Sequence, residues 1–155
     1  MTGEAVNWRV GAVEERSAVR LFRDDLAELP LFSEASRSER AVIRRHLTPL
    51  FVSAGSTLVR EGTRGNEFMV LLQGSATVSQ GGHVIATLEP GDLVGEMALL
   101  DADGVRRRNA TVTVSTDSLV YVGSRSEFRQ ILQSAPSVAR KVRETAAART
   151  LARAA

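Results

Sequence analysis

The sequence predicts a mainly β domain, a sandwich or roll of short strands, with helices before and behind it. Two observations predict this. Between residues 50 and 123 short apolar runs are punctuated by Gly55, Gly62, Gly65, Gly74, Gly81, Gly82, Gly91 and Gly95, the pattern of short strands joined by tight turns. On either side of that stretch the apolar residues recur three and four positions apart, as on one face of a helix. At 155 residues the chain can bury one hydrophobic core without disulfides or metal. Its 43% hydrophobic and 25% charged residues exclude the disordered and fibrous classes.

Taken in order, residues 12–29 carry Ala18, Phe22, Leu26 and Leu29 as the apolar side of an amphipathic helix, which Pro30 breaks. Ser36 with Glu39 three positions later is a capping-box signature. It opens a short helix with Val42, Ile43 and Leu47 on one side, and Pro49 ends the segment. Residues 67–73 are apolar on both parities, as a strand buried on both faces would be. Residues 75–79 and 84–88 flank the turn Gln80-Gly81-Gly82-His83 and predict a hairpin. Ala110, Val112 and Val114 alternate with threonines, and Leu119 and Tyr121 alternate with Val120 and Val122. Both segments are expected as half-buried strands. Ser124 and Glu127 repeat the capping box ahead of Phe128, Ile131 and Leu132, Pro136 interrupts, and a last helix over 137–155 has Val138, Val142, Ala146 and Leu151 as a thin apolar stripe. Such a stripe buries little, so that helix needs a partner surface.

Composition narrows the function. No apolar run is long enough to span a bilayer, and the N-terminus lacks the basic and apolar regions of a signal peptide, so a cytoplasmic protein without membrane contact is expected. The absence of cysteine excludes a disulfide framework and a thiol nucleophile. A net charge of +2 is too small to argue for nucleic acid, and no helix-turn-helix follows the last helix, so no DNA-binding segment is expected. His46 and His83 are far apart on different elements, and no serine sits in a nucleophile-elbow motif. The chain therefore does not read as an enzyme or as a metal protein.

The chemistry lies in residues 91–114, GDLVGEMALLDADGVRRRNATVTV. A glycine followed by a short helical turn presents free backbone N–H groups, a ready anion site. A guanidinium at the mouth of the following strand supplies charge and a planar fork for two phosphate oxygens. A carboxylate beside the turn would repel phosphate, so it has another task, such as accepting hydrogen bonds from a sugar hydroxyl.

Gly95, Glu96, Met97, Ala98, Leu99 and Leu100, then Arg108, Asn109, Ala110 and Thr111, resemble the phosphate-binding cassette of the cyclic-nucleotide-binding domain family. Pro30-Leu31-Phe32, Ala54-Gly55 with Leu58, Glu61-Gly62 and the run from Gly65 to Gly74 agree in the same order, so the resemblance covers about residues 29–149. It implies an eight-stranded antiparallel β-roll, jelly-roll-like and built as a double-stranded β-helix, plus N-terminal helices and two C-terminal helices. It divides the chain into a helical extension over 1–29, the nucleotide-binding roll with its first C-terminal helix over 30–136, and a lid helix over 137–155.

In that family's terms Glu96 binds the ribose 2'-hydroxyl and Arg108 the exocyclic phosphate oxygens. The N–H groups of Ala98 and Ala110 bind the same phosphate, Gly95 lets the backbone come close, and Met97 and Asn109 complete the binding set. Of the three adjacent arginines only Arg108 has an alanine two residues later and continues into the alternating strand. Val94 stands where the family usually has phenylalanine, and Asn109 decides neither cyclic AMP nor cyclic GMP. The implied ligand is a cyclic nucleotide, cyclic AMP ahead of cyclic GMP, with no cofactor. The implied role is a regulatory sensor whose C-terminal helix moves on binding and signals to an unknown protein effector, and the amphipathic terminal helices are compatible with a homodimer. The rival readings are a docking module of the same fold without a ligand, and a small cupin-like β-roll enzyme.

Overall fold

The computed structural model describes residues 27, 29–95 and 107–154, with side chains as far as residue 148. The helix expected over 12–29 lies almost wholly outside these residues. A 3-10 turn, Pro30–Phe32, leads to helix α1 (Arg37–His46). The strands follow as β1 (Thr48–Val52), β2 (Thr57–Val59), β3 (Glu67–Gln73), β4 (Ala76–Gln80), β5 (His83–Leu88), β6 (Leu93–Val94), β7 (Thr111–Val114) and β8 (Ser118–Ser124). Helices α2 (Arg125–Ser134) and α3 (Pro136–Ala154) close the described chain. The strands form two four-stranded sheets, ordered β1-β8-β3-β6 and β2-β7-β4-β5, and every pairing is antiparallel. This is the antiparallel β-roll with helices at either end that the sequence predicted.

The central strands of the first sheet, β8 and β3, are buried on both faces, and β3 shows why its sequence lacks alternation. Phe68 and Val70 face a core shared with Leu31, Phe32, Ile43, Phe128, Ile131, Val138 and Val142 of the helical side. Met69 and Leu71, one position on, face the second core between the sheets, with Leu58, Val112, Val114 and Val120. A strand with apolar partners on both sides must be apolar on both parities.

The expectation for β8 is corrected for the same reason. Leu119, Val120, Tyr121 and Val122 are all buried rather than alternately exposed, because β8 pairs with β1 on one side and β3 on the other and sends Tyr121 toward the helices while Val120 and Val122 face the second sheet. In the outer sheet β7 alternates as expected, with Val112 and Val114 buried and Thr111 and Thr113 half-exposed. Pro49 lies within β1 rather than merely ending the preceding helix, on an edge strand where its missing N–H is tolerated. The expected hairpin is present as β4 and β5, with both turn glycines at positive φ, 54° and 84°, which residues other than glycine adopt poorly.

Both predicted capping boxes form, at Ser36 with Glu39 and at Ser124 with Glu127. The first also reaches a second helix. Helix α3 starts after Ala135, whose side chain has no group able to cap. The vacant role falls to Glu39, whose Oε2 accepts the Ser137 N–H at 3.0 Å while its Oε1 accepts the Ser36 N–H at 2.9 Å. The Ser137 hydroxyl adds hydrogen bonds of 3.1 Å.

The last helix thus has the partner surface that its thin stripe requires. Val138, Ala139 and Val142 are 2%, 2% and 1% exposed. Lys141 Nζ donates to Pro30 O at 2.7 Å and to Ser33 Oγ at 2.8 Å, and Arg140 and Lys141 both pair with Glu34. The start of the segment assigned to a lid is therefore built into the helical-side core.

Burial raises the Glu39 carboxyl, yet the hydrogen bonds from Ser36 and Ser137 outweigh it and hold the group below its ordinary value of 4.5. A depressed carboxyl contributes stability that is full above the unfolded value and is lost as pH falls through the folded one. Glu39→Ala is expected to cost about 1–2 kcal/mol in urea unfolding at neutral pH. The gap from wild type should narrow as the pH is taken below 4.5; an unchanged gap would mean that the charge has no part in it.

Candidate functional site

Among the described residues Arg108 is the one buried arginine, 8% exposed. A charge this deep requires polar partners. Its Nη2 donates to Glu67 O at 2.5 Å and its Nη1 to Gly95 O at 3.2 Å. These two acceptors are backbone carbonyls, dipoles without formal charge, which orient the guanidinium.

The backbone on either side is held as firmly. The Arg108 N–H donates to Thr63 O at 2.6 Å, and the Gly62 N–H donates to Arg108 O at 2.8 Å. Both bonds come from the loop between β2 and β3, so the segment enters β7 in a fixed register. Gly95 has φ +86°, and a Cβ built there would overlap Arg108 Nη1 and lie 3.0 Å from Glu67 O. Glycine is thus required twice over, for its backbone conformation and for the space that the guanidinium fills.

The structure distinguishes the two described arginines of the run. Arg107 is exposed, donates from Nη1 to Gly62 O at 2.8 Å and forms an isolated bridge with Arg64. Arg106 lies outside the described residues, as do Glu96, Met97 and Ala98. Of the expected binding set, the structure therefore brings together Gly95 and Arg108, with Asn109 and Ala110 following directly. Asn109 is exposed and its carbonyl accepts from Gln80 Nε2 at 2.7 Å, while Ala110 is 9% exposed. Among the described residues no group of three His, Cys, Asp or Glu is placed to hold a metal ion.

Sequence reasoning missed Glu67, Thr63, Gly62 and Gln80 as supports of this site. The first three act through main-chain groups, which leave no signature in side-chain type. Gln80 reads in the sequence as part of a turn.

The arrangement can hold an anion. A buried, pre-oriented planar cation beside a glycine, at the start of a strand, presents the fork that suits two phosphate oxygens. The family described as "Cyclic nucleotide-binding domain" matches residues 49–135, a span that contains this geometry. The chain is 32% identical over 121 residues to a cyclic nucleotide-gated potassium channel of Rhizobium etli, covering 78% of this chain and 33% of the channel. It is 33% identical over 116 residues to the cAMP-dependent protein kinase regulatory subunit of Schizosaccharomyces pombe, covering 74% of this chain and 27% of that protein. The chain thus spans a third or less of these curated relatives. Among solved structures, that of "Sp-2Cl-cAMPS bound to PKAR CBD2" superposes with a TM-score of 0.65 at 26% identity, over 76% of this chain and 78% of that one.

Gly95→Ala and Gly55→Ala separate the two demands on Gly95. Gly55 has a similar φ of +90° with nothing within 4 Å of an added Cβ, so alanine there reports backbone strain alone, about 1–2 kcal/mol. In denaturant unfolding Gly95→Ala is expected to lose more than Gly55→Ala, since Arg108 must also be displaced. Equal losses would show that the arginine does not need the space.

Proposed function

The chain belongs to the cyclic nucleotide-binding domain family, and from that premise we propose that it is a regulatory domain binding cyclic AMP in preference to cyclic GMP, with Arg108 as the phosphate anchor. The observation that carries the reading is the burial of Arg108 against Glu67 O and Gly95 O. A guanidinium held in this way is already desolvated and oriented, so a phosphate meets it without the cost of ordering a long side chain. The charge pair then forms away from bulk water, where it is least screened. In this reading Glu96 accepts from the ribose hydroxyl, the N–H groups of Ala98 and Ala110 complete the phosphate contacts, and Gly95, Met97 and Asn109 belong to the same binding set. The preference for cyclic AMP is supported by the regulatory subunit and by the cAMPS-bound structure among the chain's relatives. The output is a non-catalytic signal to a protein effector.

The signal leaves through the C-terminal part of α3. Its first two turns are already committed to the helical-side core through Val138, Ala139 and Val142 and to the Pro30–Glu34 segment through Arg140 and Lys141. In this reading movement linked to the ligand belongs to residues beyond 142, with Arg143, Thr145 and Arg149 as the candidates for contact with the purine edge.

Displacement of a fluorescent cyclic AMP analogue by cyclic AMP and cyclic GMP tests the site. Arg108→Ala is expected to cost about 2–5 kcal/mol of binding, since it leaves the phosphate charge unpaired, whereas Arg106→Ala and Arg107→Ala should cost far less. Equal damage from all three, or no binding by wild type at millimolar nucleotide, would overturn the assignment. Hydrogen exchange tests the lid. Residues 137–142 should be protected with and without nucleotide, and protection should rise beyond 142 on binding; no rise there would send the signal through another element.

A further inference from the structure

A peptide group is planar, so in the trans form its C=O and N–H point in opposite directions and fixing one fixes the other. The peptide joining Asn109 to Ala110 is trans. Its carbonyl accepts from Gln80 Nε2 at 2.7 Å, which aims the Ala110 N–H away from the β4–β5 hairpin. Strand pairing does not hold this peptide by itself, because β7 begins only at Thr111.

Gln80 is well placed to act as a fixed support. Its backbone pairs with His83 across the Gly81-Gly82 turn. The tip of the hairpin is tied to the β2 side by Glu61, whose Oε1 accepts the Gly81 N–H at 3.0 Å and whose own N–H donates to Thr111 Oγ1 at 3.0 Å. The side chain is half-buried and belongs to neither core, so the fold does not depend on it for packing.

We propose that Gln80 is a positioning residue of the phosphate site, setting the direction of the Ala110 N–H through the carbonyl of the same peptide. The inference rests on the phosphate reading above and adds to it a residue on a separate hairpin. Gln80 does two things to that N–H. It prevents the peptide from rotating, so the donor is presented before the nucleotide arrives. By hydrogen bonding to the carbonyl it also polarises the peptide, which strengthens the N–H as a donor to an anion. Affinity for the phosphate is in this way linked to a residue that does not touch it.

Gln80→Met keeps the side-chain length and removes the donor, and Gln80→Glu keeps the shape but cannot donate at neutral pH. Both are compared with wild type in cyclic AMP affinity, in thermal midpoint and in the amide spectrum of the nucleotide-free protein. The expected result is an affinity loss of about three- to tenfold, the worth of one hydrogen bond, at least as large for Glu as for Met. It should come with a moved Ala110 amide signal before any nucleotide is added, and with little change in thermal midpoint. If wild type binds and both variants bind as tightly, this proposal is overturned while the phosphate reading stands. A loss of affinity with the Ala110 signal unmoved overturns it as well. Failure of wild type to bind overturns both.

Discussion

A positive charge sits 8% exposed at Arg108, and the surroundings are arranged so that it can. Ionised groups leave water only against partners that replace its hydrogen bonds. Here the guanidinium finds them in the carbonyls of Glu67 and Gly95, while the backbone of Arg108 is closed on both sides by Gly62 and Thr63. Each support imposes a further condition. Gly95 must lack a Cβ, Glu67 must stay in register as the first residue of β3, and the β2–β3 loop must lie alongside residues 107 and 108. The proposed phosphate site is in this sense a consequence of how the roll accommodates one arginine.

The same stretch of chain joins the site to the helices. Glu67 supplies a carbonyl to Arg108, and the next residue, Phe68, packs against Phe128 of α2 with ring centroids 4.4 Å apart and the rings tilted by 51°. Just before it, the Asn66 carbonyl accepts the Arg125 N–H at 3.0 Å, and the Gly65 carbonyl accepts from the Arg125 guanidinium at 3.2 Å. Residues 65–68 therefore touch both the anchor arginine and the first turns of α2. Helix α2 runs almost directly into α3, whose opening turn is capped by Glu39 from α1. Arg108 is thus joined to the C-terminal helices by a short, hydrogen-bonded and close-packed route.

Much of this was legible in the sequence where a side-chain type reports its own environment. The capping boxes at Ser36 and Ser124 were visible because both partners lie within one turn. The two-sided burial of β3 was visible as a run without alternation, and the hairpin as Gly81-Gly82. Other features were not legible because they join residues distant in the chain or act through the backbone. The double burial of β8 comes from the helices packed on one face and the second sheet on the other; its run Leu119-Val120-Tyr121-Val122 is apolar on both parities, so half-burial does not follow from it. Glu39 capping α3 spans 98 residues and looks in sequence like an ordinary local box. Val84 and Ile85, read as part of a hairpin strand, remain 65% and 54% exposed, because β5 is an edge strand with a register shift between Val78 and Ser79. The alanine two positions later singles out Arg108 in the sequence, but its burial and its carbonyl partners were not legible there.

The claim on which the rest turns is that the buried guanidinium of Arg108 meets the phosphate of a cyclic nucleotide. The most direct measurement follows the side-chain nitrogen and proton signals of Arg108 by NMR while cyclic AMP is added to the full chain. Its signals are expected to shift saturably to a one-to-one end point and to sharpen as the guanidinium is locked in a charge-assisted pair. Binding of cyclic AMP with the Arg108 signals unmoved would contradict the account.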